Sequence, residues 1–478
     1  MGQTTYVRAS PVAPQIRAKP NRLWLDVPLV LAVAALTIIG LLMVYSASWN
    51  YVIPKKGDPA YLLNRQLLWA IFGIAVALVI SIIDYHYLTR LAVPIMAATL
   101  LILLIVLWSG GDSETPARTL FGTSVQPSEM AKLVIIIYLS VWLNSKRDQI
   151  TNISFGLIPM MFILGITAGL ILLQPDLSAA ATIVILGCLL FFICGGEFRQ
   201  IILIVLVVVL LGALVVSVSQ NGQNRISYYI NGLQDPLRAH DHIKRSLEAV
   251  VRGGIFGVGI GKGITKFTGL PFSWTDSIFA VITEETGLLG GCVVIALYLI
   301  VLWRGFGIAR RAPDQLGYLL ASGVTIWITM EAMINIGAMV NLVPFAGNAL
   351  PFISAGGSNL TMTLSGIGIL LSVARQTTKN ASMPGVLPVS TVKPESRRQA
   401  RTSKERFHTL SGERVTPTAE EEKEYTWVTN STIQYPERTV RRSRKKQSWR
   451  FLDALLNLRR RNGRRRISRT DRSTNTRR

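Results

Sequence analysis

Gly269–Gly291 reads GLPFSWTDSIFAVITEETGLLGG and passes into the apolar run Cys292–Trp303. Three carboxylates, Asp276, Glu284 and Glu285, sit in a stretch whose other residues are mostly apolar. Ionised carboxylates in or beside a bilayer are costly, and chains keep them for a path, a partner or a reaction. Asp276 stands where a long polar connection meets the apolar run, so it could reach both a lipid head group and water. That position makes it the first candidate for chemistry.

Outward from this stretch the apolar character repeats. Half of the 478 residues are hydrophobic and the mean hydropathy is +0.39, too apolar for an ordinary soluble chain of this length. Runs long enough to cross a hydrocarbon core recur through the first three-quarters of the sequence, so the expected fold is an all-α polytopic membrane protein. Ten spans are expected, at about 24–47, 66–83, 89–108, 128–143, 155–173, 178–195, 200–218, 277–303, 315–340 and 358–375, after an N-terminal segment 1–23. The polar, basic start shows no cleavable leader. An even count puts both termini on one side. Arg8, Arg17, Lys19 and Arg22, with Arg90, Lys146, Arg147, Arg199, Arg304, Arg310 and Arg311 in short loops, mark that side as cytoplasmic.

The connection 220–274, between the seventh and eighth spans, then lies outside. It is far longer than a usual helix–helix link, which points to function rather than spacing. It carries Arg225, Arg238, Lys244, Arg245, Arg252, Lys262 and Lys266. A basic outer loop suits an anionic, phosphate-bearing ligand, although any one of these residues could simply be solvated beside lipid phosphates. Most of the net charge of +23 falls after Arg375. Residues 376–478 have the composition of a disordered cytoplasmic tail. Within it Trp449–Leu458, between RRSRKK and RRRNGRRR, could lie as an amphipathic helix on anionic inner-leaflet lipids. Nucleic acid would attract the same arginines but is not expected as a partner, because the membrane is already beside the tail.

Gly253–Gly263, GGIFGVGIGKG, invites a nucleotide reading, but Phe256 and Gly263 stand where a P-loop needs Gly and Ser or Thr. Its glycines are read as permitting tight turns and close approach to a ligand or the membrane surface, with Lys262 a candidate phosphate contact. Gln126–Lys132, QPSEMAK, opens a helix and places Glu129 and Lys132 on one side at i,i+3, a neutralised pair that either fixes helix register or lines a polar cavity. Gln174–Leu177, QPDL, puts Asp176 at the outer end of the fifth span. In Pro351–Leu360, PFISAGGSNL, paired glycines and Ser358 lead into the last helix, whose N-terminal N–H groups would face an anion. Cys188, Cys194 and Cys292 lie in apolar segments and the four histidines are scattered, so neither a metal cluster nor a disulfide framework is expected. No Ser-His-Asp, H-E-x-x-H or G-x-S-x-G arrangement supports hydrolysis.

Together, RQLLW at Arg65–Trp69, Arg118 before the fourth span, QPSEMAK, QPDL, RGGIFGVGIGKG, LPFSWTDSIFAVITEETG, NIGAM at Asn335–Met339 and PFISAGGSNL resemble the SEDS family (shape, elongation, division and sporulation), whose members include FtsW, RodA and SpoVE. The match covers about residues 25–376. The segment around Asp276 and the long tail look more like FtsW or SpoVE than RodA. The resemblance implies a ten-helix peptidoglycan glycosyltransferase that polymerises lipid II, an undecaprenyl-pyrophosphate-linked disaccharide-pentapeptide, on the outer face of the bacterial cytoplasmic membrane. A class B penicillin-binding transpeptidase and other division proteins are the implied partners. The family's catalytic carboxylate falls on Asp276, its Glu–Lys pair on Glu129 and Lys132, and its Q-P-D carboxylate on Asp176. Two motifs depart: the family's His-Thr-Asp-Phe reads Trp274-Thr275-Asp276-Ser277, and its Tyr-Gly-Gly-Ser-Ser reads Ala355-Gly356-Gly357-Ser358-Asn359.

On this reading Asp276 takes the proton from the acceptor sugar's 4-hydroxyl as it attacks the donor's anomeric carbon in one inverting displacement. Arg65, Arg118, Arg225 and Lys262 could meet the charge growing on the departing pyrophosphate, and a divalent cation could assist. Metal ligand is the other role open to Asp276. A rival reading is a flippase for the same lipid, with Glu129, Lys132, Glu284, Glu285 and Glu331 along its path, though no inverted repeat is evident. A third is a non-catalytic scaffold for a transpeptidase. Glu284 and Glu285 are otherwise expected to line a cavity or serve packing.

Overall fold

The computed structural model describes residues 25–56, 60–108, 125–150, 152–218, 220–345 and 347–381. Residues 1–24, Arg118 and the tail beyond Ala381, including the expected helix at 449–458, lie outside them. Among the described residues the regular structure is all helical: α1 (Val27–Lys56), α2 (Tyr61–Ile82), α3 (Leu88–Trp108), α4 (Pro127–Ser145), α5 (Ile158–Leu173), α6 (Leu177–Ile193), α7 (Phe198–Val218), α8 (Gln220–Gln234), α9 (Asp241–Gly253), α10 (Ile278–Ala309), α11 (Gln315–Met339) and α12 (Gly357–Ala381).

Six of these helices, α1, α2, α3, α10, α11 and α12, are long and apolar enough to cross a membrane. The multi-pass, all-α architecture is therefore as expected. The count of ten crossings goes further than length and composition establish, because α5 and α6 run for only 16 and 17 residues and α4 carries Glu129 and Lys132. Burial sorts inner from outer helices. The apolar windows of α11 and α12 are 78% and 89% buried, against 28% for α2, α3 and α10, so α11 and α12 form the centre and the others turn a face outward. Small residues bring α12 against α2: a Cβ on Gly368 would stand 2.6 Å from the Ala77 carbonyl oxygen.

The connection after α7 is more structured than a long loop. It contains α8 and α9, and α12 runs six residues past the expected start of the tail. After α9 the chain folds onto α10, which breaks at Gly287 (φ 73°). That break leaves backbone groups without helical partners, and the glycine-rich segment supplies them. Val258 and Gly259 N–H donate to the Glu284 and Glu285 carbonyls at 3.0 Å each, and Leu288 and Leu289 N–H donate to the Gly254 and Ile255 carbonyls at 2.9 and 3.3 Å. Cβ atoms on Gly253, Gly257 and Gly287 would lie 2.1, 2.3 and 2.2 Å from backbone oxygens across this contact. Gly253 and Gly257 thus approach the broken helix, whereas Cβ atoms on Gly254 and Gly261 would meet nothing within 4 Å.

Glu284 and Glu285 complete the same clamp. Glu284 accepts from Ile264 N–H at 2.9 Å and Thr265 N–H at 3.1 Å. Glu285 accepts from Gly261 N–H at 2.9 Å, Ser46 Oγ at 2.6 Å and Lys266 Nζ at 2.6 Å. Both carboxylates are buried, and they serve packing.

Candidate functional site

Seven of the nine residues singled out by sequence line one cavity of about 580 Å³: Arg65, Glu129, Lys132, Asp176, Arg225, Asp276 and Ser358. They come from α2, α4, the N-cap of α6, α8, the turn before α10 and the start of α12. Lys262 does not join them and is exposed on the glycine-rich segment. Arg118 lies outside the described residues. Among the described residues the cavity wall carries three cations, Arg65, Lys132 and Arg225, and three carboxylates, Glu129, Asp176 and Asp276.

Asp276 sits in a turn gripped through its backbone. Phe272 adopts the left-handed conformation at φ 48°, a conformation that costs a non-glycine residue about 1–2 kcal/mol and needs support from its surroundings. That support is extensive. Ser273 Oγ donates to the Ala47 carbonyl on α1 at 3.1 Å, and Ala355 N–H donates to the Trp274 carbonyl at 2.9 Å. Ser354 Oγ donates to the Thr275 carbonyl at 2.7 Å. Asn335 Nδ2, from α11, donates to the carbonyls of Asp276 at 2.9 Å and Asn348 at 2.5 Å. The carboxylate faces Gly347, where a Cβ would lie 3.5 Å from Oδ2.

Lys132 Nζ lies 2.8 Å from Glu129 Oε2 and also pairs with Glu331 Oε1. Asn359 Nδ2 donates to the same Glu129 oxygen at 2.9 Å. The i,i+3 pair expected from QPSEMAK is therefore present, but as part of a buried triad that includes α11. Asp176 caps α6, with Oδ1 accepting from Ala179 N–H at 3.2 Å and Ser178 Oγ at 3.0 Å. Its Oδ2 accepts from Gln126 Nε2 and Ser128 Oγ, both at 2.9 Å, so it ties the start of α4 to α6.

The RQLLW segment holds the entrance to α12. Gln66 Nε2 donates to the Ser354 carbonyl at 3.1 Å, and its Oε1 accepts from Gly356 N–H at 3.3 Å. Trp69 packs where a Cβ on Gly357 would meet its ring at 2.4 Å. Ser358 Oγ accepts from Gln126 N–H at 3.3 Å, joining the α12 start to α4.

Three ring-bearing cavity residues were not singled out in the sequence: His242, Phe272 and Phe345. The His242 ring stacks on Phe345 at 4.6 Å and Phe272 at 5.9 Å, with Nδ1 3.5 Å from Ser277 Oγ. Burial pushes its pKa down to about 4, with the nearby His240 acting in the same direction, so the ring is neutral at physiological pH. Spacing along α9 distinguishes it from no other buried position, and only the fold brings these three segments together. Among the described residues, no three His, Cys, Asp or Glu side chains are grouped to hold a metal ion.

The profile of the cell cycle protein family FtsW/RodA/SpoVE matches residues 27–379. The chain is similar to the probable peptidoglycan glycosyltransferase FtsW of Trichlorobacter lovleyi, 37% identical over 367 residues that cover 75% of this chain and 96% of that protein. It is also similar to stage V sporulation protein E of Bacillus subtilis, 36% identical over 354 residues that cover 73% and 97%. Among solved structures, a chain of a peptidoglycan synthase complex described as coordinating polymerization and crosslinking aligns with a TM-score of 0.61 at 26% identity, covering 74% of this chain and 98% of that one. RodA of Thermus thermophilus, a rod shape determining protein, aligns with a TM-score of 0.55 at 27% identity over 75% and 99%. On the extent of the profile match and the identity to these relatives, the chain belongs to the FtsW/RodA/SpoVE family of cell cycle proteins.

Proposed function

We propose that this chain is a peptidoglycan glycosyltransferase that polymerises lipid II on the outer face of the bacterial cytoplasmic membrane, with Asp276 as the general base. On this reading α1–α7 and α10–α12 make ten crossings, both termini are cytoplasmic, and the cavity opens outward. The observation that carries it is the meeting of Asp276 with Arg65 and Arg225 in one cavity of about 580 Å³. Supporting it, the relatives named above include a probable peptidoglycan glycosyltransferase.

Two lipid-linked sugars must meet for a strand to grow. Asp276 accepts the proton of the acceptor's 4-hydroxyl while that oxygen attacks the donor's anomeric carbon, and the carbon–oxygen bond to the pyrophosphate breaks. The electron pair leaves with the pyrophosphate, whose charge needs fixed cations. Lys132 is already shared between two carboxylates. Arg65, Arg225 and the N-terminal N–H groups of α12 are the further groups proposed to meet that charge. A divalent cation assisting here would be held chiefly by the pyrophosphate itself, given the absence of a three-residue donor group among the described residues. The Asn335, Ser354 and Ala355 contacts keep the base in place, so no reorganisation is needed as the hydroxyl arrives. A class B transpeptidase is the proposed partner for crosslinking. Other division proteins, and anionic inner-leaflet lipids for the basic tail, complete the proposed set.

The test uses the purified protein with its transpeptidase partner, lipid II as substrate, and Asp276→Ala. Glycan strands from the wild type and none from the variant are expected. Equal polymer from both would remove Asp276 from the chemistry. No polymer from either, with lipid II crossing vesicles normally, would favour a transporter instead.

A further inference from the structure

Beside the cavity lies a second pocket of about 210 Å³, lined by Arg225, Tyr228, Tyr229, His240, Asn341 and Phe345. Arg225 and Phe345 belong to both, so they form a shared wall. Its aromatic side is continuous with the catalytic turn. Tyr228 meets His240 edge-on at 5.4 Å, His240 stacks with Phe345 at 6.0 Å, Phe345 stacks with His242 at 4.6 Å, and His242 with Phe272 at 5.9 Å. The ring of Tyr229 is held in place by its hydroxyl, which donates to the Leu342 carbonyl at 3.0 Å.

We infer that this pocket is a saccharide subsite, which holds an amino-sugar ring of the glycan strand one unit away from the reacting centre. The inference rests on the polymerase reading above. Aromatic side chains present apolar surface to the C–H faces of a sugar, while the guanidinium of Arg225 and the amide of Asn341 match hydroxyl and acetamido groups. The charge balance separates this pocket from the cavity. Among the described residues its lining holds one cation and no carboxylate, too little for a diphosphate and suited to a neutral ring. The volume takes one sugar ring rather than a disaccharide with its peptide. A strand engaged here stays tethered when the reacting end is released, so its next encounter with the catalytic turn is intramolecular. The pocket would thereby set how long a strand grows before it is lost.

The experiment compares wild type, Tyr228→Ala, His240→Ala, Tyr228→Phe and His240→Phe, each with the transpeptidase partner, by strand length on gels at matched lipid II consumption. The alanine variants are expected to make strands about fivefold shorter, the scale of losing one aromatic contact from strand retention, and the phenylalanine variants to keep wild-type length. Unchanged length in the alanine variants, or equal shortening in the ring-retaining ones, would overturn the subsite. A second readout is binding of a soluble N-acetylated amino-sugar tetrasaccharide to the wild type and its loss in Tyr228→Ala. If the wild type makes no polymer, the polymerase reading fails and tetrasaccharide binding alone decides the pocket: retained by Tyr228→Ala, or absent from the wild type, it overturns the proposal.

Discussion

Replacing Lys132 by methionine puts the buried triad under the sharpest test. Its ammonium is 2.8 Å from Glu129 and pairs with Glu331, and the Lys132 and Glu331 side chains are only 4% and 1% exposed. Removing one member of a buried pair costs about 3–5 kcal/mol, because the charge left behind has neither water nor a partner. Here two carboxylates would be left, so Lys132→Met should fall at the upper end of that range. Glu331→Gln added to it removes one of them and keeps the shape. The double variant should therefore be more stable than Lys132→Met alone by about 1–3 kcal/mol, the size of coupling seen between contacting residues. Glu331→Gln alone leaves Lys132 paired with Glu129 and should be mild. The assay is thermal unfolding of the four detergent-purified proteins, followed by tryptophan fluorescence. If the two single effects simply add, Glu331 does not hold charge against Lys132 and the triad is wrongly drawn.

Two further outcomes follow from the packing. Asn335→Ala strips a donor from the carbonyls of Asp276 and Asn348. A displacement of the base by about 1 Å should lower kcat by about 10²-fold with little change in KM, as measured by lipid II polymerisation; an unchanged kcat would show that Asn335 does not position the turn. Gly257→Ala must place a Cβ 2.3 Å from the Glu285 carbonyl oxygen at φ 79°, costing about 2–5 kcal/mol from left-handed strain and overpacking. Gly165→Ala on α5, with nothing within 4 Å of its Cβ, should cost far less. Equal melting temperatures for the two glycine variants would refute the close fit between the glycine-rich segment and α10.

Much of this arrangement was legible in the chain, and what was legible shares a cause. Apolar runs mark where spans lie, as at 315–340, where α11 covers Gln315–Met339, but not always where helices end, since α1 continues to Lys56 and α10 to Ala309. Charges at membrane depth are rare enough that each points to a reason, and Asp276, Asp176, Glu129 and Lys132 were found that way. α8 and α9 were missed because QNGQNRISYYINGLQ is as polar as a loop, and α9 buries only the narrow stripe of His242, Ile243, Ser246, Ala249 and Gly253. The partners of the charges were equally hidden. Glu331 and Lys132 are 199 positions apart, and nothing local to either segment states the pairing. The glycine-rich segment is ambiguous for a related reason: glycine reports that something comes close without saying what. Here the close neighbour is a broken helix of the same chain.

The carboxylates themselves show why residue type alone could not separate scaffold from site. Glu284 holds two backbone N–H groups of the 264–265 turn, and Glu285 holds Gly261 N–H, Ser46 and Lys266. Asp176 takes four donors as the cap of α6, while Glu129 and Glu331 share Lys132. Each of these groups holds the fold together through its own oxygens. Removing the carboxylate of Glu284, Glu285 or Asp176 would leave those donors without an acceptor, and the segments that lean on them would loosen. A general base gains and loses a proton in every turnover, so its side chain cannot also be what holds its segment in place. The turn that carries Asp276 is also held through its main chain, by way of the carbonyls of Trp274, Thr275 and Asp276, which accept from Ala355, Ser354 and Asn335. Those main-chain contacts fix the position of the proposed base, which is what proton transfer at a sugar hydroxyl requires.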